Sequence, residues 1–161
     1  MGNRNGLTER FWETKKMADM SRDEWEALCD GCARCCLLKL DFEDSPDIYY
    51  TNVACRLLDI RTCRCTRYRH RSLIVPDCLS LTPESAAVFS YLPRTCAYRC
   101  LAEGRPLPSW HPLISRDPDA IHRLGISIRD RAIPEEWIDP DQLENQIVEW
   151  EQGGIRNPDP T

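Results

Sequence analysis

Apolar residues fall along this chain in short, interrupted groups instead of long periodic runs. Residues 8–18 set Phe11, Trp12 and Met17 among charges, the pattern of a short amphipathic helix. Ser21-Arg22-Asp23-Glu24 has the spacing of a capping box, which predicts a second helix from 22 to about 28 with Trp25 and Leu28 on one side. Asp41 to Pro46 is a polar, acidic loop. Ile48–Thr51 and Val53–Leu58 read as β segments on either side of Asn52. A one-residue break cannot make a tight turn, so the two form one bent strand or a bulge. Residues 61–71 make a basic loop or one helical turn, and Leu73-Ile74-Val75 is an apolar segment stopped by Pro76.

In the second half, Thr82-Pro83-Glu84 combines an N-cap, a first-turn proline and a first-turn acid, predicting a helix from 83 to about 90. A helix over about 95–103 ends at Gly104, and 105–112 is extended by its prolines. Asp117-Pro118 opens a short helix closed by Gly125, after which Ile126 to Arg129 alternates like a strand. Asp139-Pro140 opens a last helix with Leu143, Ile147 and Trp150 on one stripe, ending at Gly153.

Composition narrows the class. At 161 residues with 42% hydrophobic content and five tryptophans, the chain can bury a core as one domain over 1–156, with 157–161 a disordered tail. Twelve prolines against seven glycines predict short elements on stiff connections. No run approaches the length of a membrane span, and the N-terminus lacks an apolar signal region, so a cytoplasmic protein without membrane association is expected.

Candidate chemistry lies in ten cysteines. Cys29, Cys32, Cys35 and Cys36 form a CxxCxxCC run, and Cys55, Cys63, Cys65, Cys78, Cys96 and Cys100 follow. Two-residue spacers bring successive sulfurs to one side of a tight turn, and a bound cation removes the repulsion between close thiolates. In a reducing compartment disulfides are disfavoured, which strengthens the metal reading. The spacing of Cys29, Cys32 and Cys35 is that of ferredoxin-type clusters with a distant fourth ligand, and no second CxxC supplies the paired pattern of ordinary zinc sites. An iron–sulfur cluster, [4Fe–4S] in form, is therefore the first reading and zinc the second. Adjacent Cys35 and Cys36 are expected to serve different metals, or one of them to stand behind the ligands. Cys100 sits among Tyr98, Leu101 and Ala102 and is read as packing.

Net charge is −5, which argues against general affinity for nucleic acid. Against that total, Arg56, Arg61, Arg64, Arg67, Arg69 and Arg71 cluster beside one acid, Asp59. They are read as compensating a negative thiolate–metal centre, with an anionic-ligand patch as the rival. Tyr68 is read as core packing, His111 as a structural hydrogen bond, and His70 and His122 as surface residues. No GxSxG, P-loop, GxGxxG or HExxH sequence offers a catalytic centre.

The cysteine run, then Cys55 with Leu58, Cys65-Thr66-Arg67-Tyr68 and Cys78, resembles the bacterial YkgJ-type CxxCxxCC family of zinc- or iron-chelating domains. Thr51–Arg56, Leu92–Arg99 and Leu107–Leu113 bring it nearest the YcgN-like branch of that family. The resemblance covers about residues 9–150. It departs where Arg69-His70-Arg71 replaces the family's Arg-Pro, and at Cys100, where an aliphatic residue is expected. The run also resembles the cysteine cluster of flagellin lysine methylases. Together these predict a small, mainly helical, irregular α+β domain organised around a cysteine-bound metal centre, with Cys29, Cys32, Cys35, Cys36, Cys55, Cys63, Cys65, Cys78 and Cys96 as candidate ligands. Electron transfer, cluster delivery or metal handling would follow. The rivals are a redox or group-transfer enzyme and a zinc-stabilised adaptor without catalysis.

Overall fold

The computed structural model describes residues 6–151 and 154–156. The elements run α1 Phe11–Thr14, α2 Arg22–Ala27, β1 Leu37–Asp41, β2 Ile48–Ala54, β3 Leu58–Asp59, β4 Arg64–Cys65, α3 Arg71–Ile74, α4 Ala97–Ala102, α5 Pro112–Ser115, α6 Ala120–Arg123, β5 Ile133–Pro134, β6 Glu149–Glu151 and β7 Gly154–Arg156, with 3-10 turns between them. Helical residues are 36% of those described, so the architecture is mixed α/β and not mainly helical. The predicted tail over 157–161 and the helix end at Gly153 lie outside the described residues.

The chain forms two compact units, one of residues 1–30 and 80–120, the other of 31–79 and 121–161. In the first, α2 carries the predicted capping box in full. Ser21 Oγ accepts from Glu24 N at 3.1 Å, and Glu24 Oε1 accepts from Ser21 N at 2.9 Å. Glu24 is buried, and its carboxylate also accepts from Lys15 Nζ (2.8 Å) and Thr8 N (2.9 Å). The expected helix over 8–18 shrinks to α1 and a 3-10 turn at Met17–Asp19, because Arg10 is left-handed and Lys15 extended. The helix expected over 83–90 is a 3-10 turn, Ala86–Tyr91, preceded by a turn that Ser85 Oγ closes on the Thr82 carbonyl and N–H. Trp25 and Tyr98 pack at 4.8 Å between ring centroids, and Tyr98 Oη donates to Trp25 O.

The second unit is built on a three-stranded sheet in the order β1-β2-β5. β1 and β2 pair antiparallel with a register shift between Leu37 and Lys39, and β5 joins β2 in parallel through Val53 and Ala54. Asn52 lies inside a continuous β2, which carries two residues more between Tyr50 and Ala54 than β1 does between Lys39 and Leu37, so the expected bulge is in β2 around Asn52. β3 and β4 form a small hairpin with Leu58 opposite Cys65. Ala33, Leu37, Ala54, Leu58, Cys63 and Ile128 make one buried cluster. Ile126 and Ile128 are fully buried, as their alternation implied, but the segment is no strand; its bonds go singly to Ile121 O and Cys32 O. The predicted final helix is also corrected. Asp139 caps a 3-10 turn, Pro140–Gln146, and the chain then extends, with Ile147 bridging Thr51 and β6 pairing β7.

Candidate metal centre

Two left-handed residues, Gly31 (φ 83°) and Ala33 (φ 64°), shape the turn that carries the cysteine run. The turn brings Arg34 N within 3.5 Å of Cys32 Sγ, an N–H···S contact. A 3-10 turn, Arg34–Cys36, then leads directly into β1. Arg34 is buried; its Nε donates to Ile126 O at 2.7 Å and its guanidinium lies 5.4 Å from the Trp150 ring. Burying this charge is tolerable only because such partners exist.

Hairpin register brings distant cysteines to this turn. Cys55 follows β2, and its N–H donates to Cys36 O at 2.9 Å. Leu58 N returns to Cys55 O at 2.9 Å, and Leu58 stands opposite Cys65. Cys78 closes the turn after α3 through Val75 O, while Arg56, beside Cys55, donates to Ile74 O at 2.8 Å. Charge interactions join the same five thiols. The Cys36 thiol hydrogen-bonds the Cys35 sulfur, which with burial pushes its pKa up. Burial pushes the Cys55 and Cys78 thiols up, with Arg71 opposing at Cys78.

Lys39 enters the same group. Its Nζ donates to Cys35 O (2.6 Å) and Leu37 O (2.9 Å), and its charge acts on Cys35, Cys36, Cys55 and Cys78. Burial draws its pKa down while these thiolates draw it up. Of the six clustered arginines, Arg71 acts on Cys78 and Arg56 on Cys55, as charge compensation requires. Arg61, Arg64, Arg67 and Arg69 are exposed. Tyr68 is 48% exposed, its ring 4.1 Å from the Arg71 guanidinium, so it is not core.

The other candidates lie elsewhere. Cys32 is buried, with its carbonyl bonded to Ile128 N. Cys63 is left-handed and buried in the core cluster, where the Ser127 hydroxyl and Arg129 partly oppose the upward push of burial on its thiol. Cys29 is exposed and, with Cys96 at the N-terminus of α4, belongs to the first unit. Cys100 is buried there, its sulfur 3.4 Å from Arg94 O. His111, also in that unit, accepts from Leu113 N at Nδ1 and so donates from Nε2 to Leu28 O at 2.8 Å, a structural bond. His122 is half-buried against Ser127 Oγ, not a free surface residue.

No disulfide joins the ten cysteines. Among the described residues, no three Cys, His, Asp or Glu side chains close on one point as a finished metal site would. The donor set nevertheless fits zinc or iron: five soft sulfur donors in one unit, linked by hydrogen bonds and charge, with cations beside them.

A family model described as "CxxCxxCC: Putative zinc- or iron-chelating domain" matches residues 28–97. A UPF0260 protein of Granulibacter bethesdensis is 53% identical over 140 residues, 87% of this chain and 83% of that protein. One from Cellvibrio japonicus is 52% identical over 140 residues, covering 87% and 95% of the two chains. The chain belongs to the UPF0260 family. A further UPF0260 protein, from Rhodopseudomonas palustris, is 54% identical over 141 residues, 87% of this chain and 83% of its own. No solved structure matches. The chelating-domain segment of this UPF0260 chain spans every candidate ligand from Cys29 to Cys96 and leaves Cys100 outside. No helix among the described residues is long and apolar enough to cross a membrane.

Proposed function

We propose that this UPF0260 chain binds iron or zinc through thiolates drawn from Cys35, Cys36, Cys55, Cys65 and Cys78. The observation that carries the reading is backbone geometry within one unit: Cys55 N–H bonds Cys36 O, Leu58 N–H bonds Cys55 O, Leu58 stands opposite Cys65, and the Lys39 ammonium rests on Cys35 O, with no disulfide among these cysteines. Apart from Cys35 and Cys36 they come from separate turns and strands, so ligation would tie those segments together. An iron–sulfur cluster is the first form of the proposal, because Cys29, Cys32 and Cys35 keep cluster-type spacing. Cys29, Cys32, Cys63 and Cys96 stand as further ligand candidates. The role that follows is electron transfer, cluster delivery or metal handling in the cytoplasm.

Anaerobic purification from iron-sufficient cells, followed by metal and sulfide analysis and an absorption spectrum, tests this. Brown protein with matched iron and sulfide supports the cluster. Colourless protein with stoichiometric zinc replaces the cluster by zinc. Neither metal, even after reconstitution of reduced protein, overturns the reading.

A further inference from the structure

We infer that Lys39 is the built-in counter-charge of the thiolate centre, setting how tightly the chain holds a metal bound by four sulfurs. The inference rests on the metal-binding reading and goes beyond it by assigning a role to a residue that cannot be a ligand while it carries its proton. A divalent ion held by four thiolates keeps two net negative charges, and so does an oxidised cubane of iron and sulfide held the same way. In a half-buried setting that excess is costly unless a fixed cation faces it.

Lys39 meets that need in three ways. First, its ammonium sits in the ligand turn itself, on the carbonyl of Cys35, and Cys55 joins that turn through its N–H bond to Cys36 O. Second, the ammonium is pinned. It donates to the carbonyls of Cys35 and Leu37, at 2.6 and 2.9 Å, and lies 5.3 Å from the ring of Tyr50, its cross-strand partner. A surface lysine loses side-chain entropy when it is drawn to a charge; this one has already lost it. Third, its place follows from the strand. The β1–β2 register shifts by two residues between Leu37 and Lys39, the extra residues lying in β2 at 51–53, and a bulge re-aims the side chains beside it.

A plainer role is available, in which Lys39 only staples the turn through its two hydrogen bonds. Charge and staple separate by substitution. Lys39→Arg keeps the charge, Lys39→Gln keeps a donor without charge, and Lys39→Met keeps neither. Reduced, metal-free full-length protein is titrated with Co2+ under anaerobic conditions, following sulfur-to-cobalt absorption, with Zn2+ competition to fix the affinity. Metal-free melting is recorded in parallel.

Lys39→Gln and Lys39→Met are expected to bind with unchanged stoichiometry and affinity weaker by about tenfold, the scale of one nearby charge. Lys39→Arg should stay within about twofold of the natural chain, because one unit charge is retained there. Equal affinity in Lys39→Gln and Lys39→Arg overturns the inference and leaves metal binding standing. No cobalt–thiolate absorption in the natural chain overturns the metal reading itself. Should Lys39→Met fail to fold, the Arg and Gln pair decides the question alone.

Discussion

Glu24 shows how much a single side chain can organise. It is buried, which by itself would raise its pKa, yet bonds from Lys15 and from the N–H groups of Ser21 and Thr8 outweigh burial and hold it at about 2, against an ordinary 4.5. A folded-state pKa below the unfolded one stabilises the protein above the unfolded value and loses that contribution as pH falls toward the folded one. Urea unfolding should therefore show stability draining between about pH 4.5 and pH 2. Glu24→Gln should cost about 2 kcal/mol at neutral pH and flatten that slope. An unchanged slope in the variant would assign the acid sensitivity to other groups. Cysteines divide at the same scale. Cys100→Ala removes a small buried group whose sulfur lies against Arg94 O, and should cost about 1–2 kcal/mol with metal content intact. Cys55→Ala should instead lose metal, since Cys55 is tied to Cys36 and, through Leu58, to the hairpin that carries Cys65. Metal analysis beside a denaturant titration checks both, and equal metal loss in the two would bring Cys100 into the centre.

Between neighbouring elements, the left-handed turns carry the precision. Gly125, at φ 72°, ends the stretch after α6 and returns the chain so that Ile126 and Ile128 enter the core. A methyl there would lie 2.5 Å from Arg131 Nη2, the end of a side chain that donates to Gly125 O at 3.1 Å. A guanidinium can swing away, but the backbone strain stays, so Gly125→Ala should cost about 1 kcal/mol or more. The same loss should persist in an Arg131→Ala background; full recovery there would show the cost to be steric only. Elements whose signals are local were legible in the sequence: the Ser21–Glu24 box, the stop at Gly104 and the cap at Asp139 all appear where their residues place them. Elements decided by remote partners were not. β1 follows the cysteine run without a turn signal, and only β2, across residues 42–47, makes it a strand. Leu143, Ile147 and Trp150 keep helical spacing, yet Ile147 pairs with Thr51 and Val148 N bonds Tyr50 O, so tertiary pairing overrides the period. For the centre, the cysteines were legible as a set. The bond that ties Cys55 to Cys36, the hairpin register that sets Cys65 opposite Leu58, and the place of Lys39 on Cys35 O were not.

At the scale of the whole chain, neither compact unit is contiguous, since the chain changes unit after Asp30, Leu79 and Ala120. Cutting at Leu79 would remove residues 80–120 from the first unit and 121–161 from the second, so a 1–79 fragment should show no cooperative unfolding by circular dichroism although it keeps eight of the ten cysteines. A cooperative transition in that fragment would mean the later segments are accessory. Removing metal under reducing conditions should lower the melting temperature substantially, because the segments around the five thiols are short and ligation would join them. Melting at an unchanged temperature would make the centre peripheral to folding. The cation stacked on Trp150 also gives the molecule an optical handle. That indole donates to Thr51 O at 3.2 Å and lies against Arg34, the residue between Cys32 and Cys35 in the ligand turn. Any tightening of the turn around an ion alters the field across the ring. Its fluorescence should then report loading by zinc, which absorbs no visible light, as readily as loading by iron, and Trp150→Phe should silence that part of the emission.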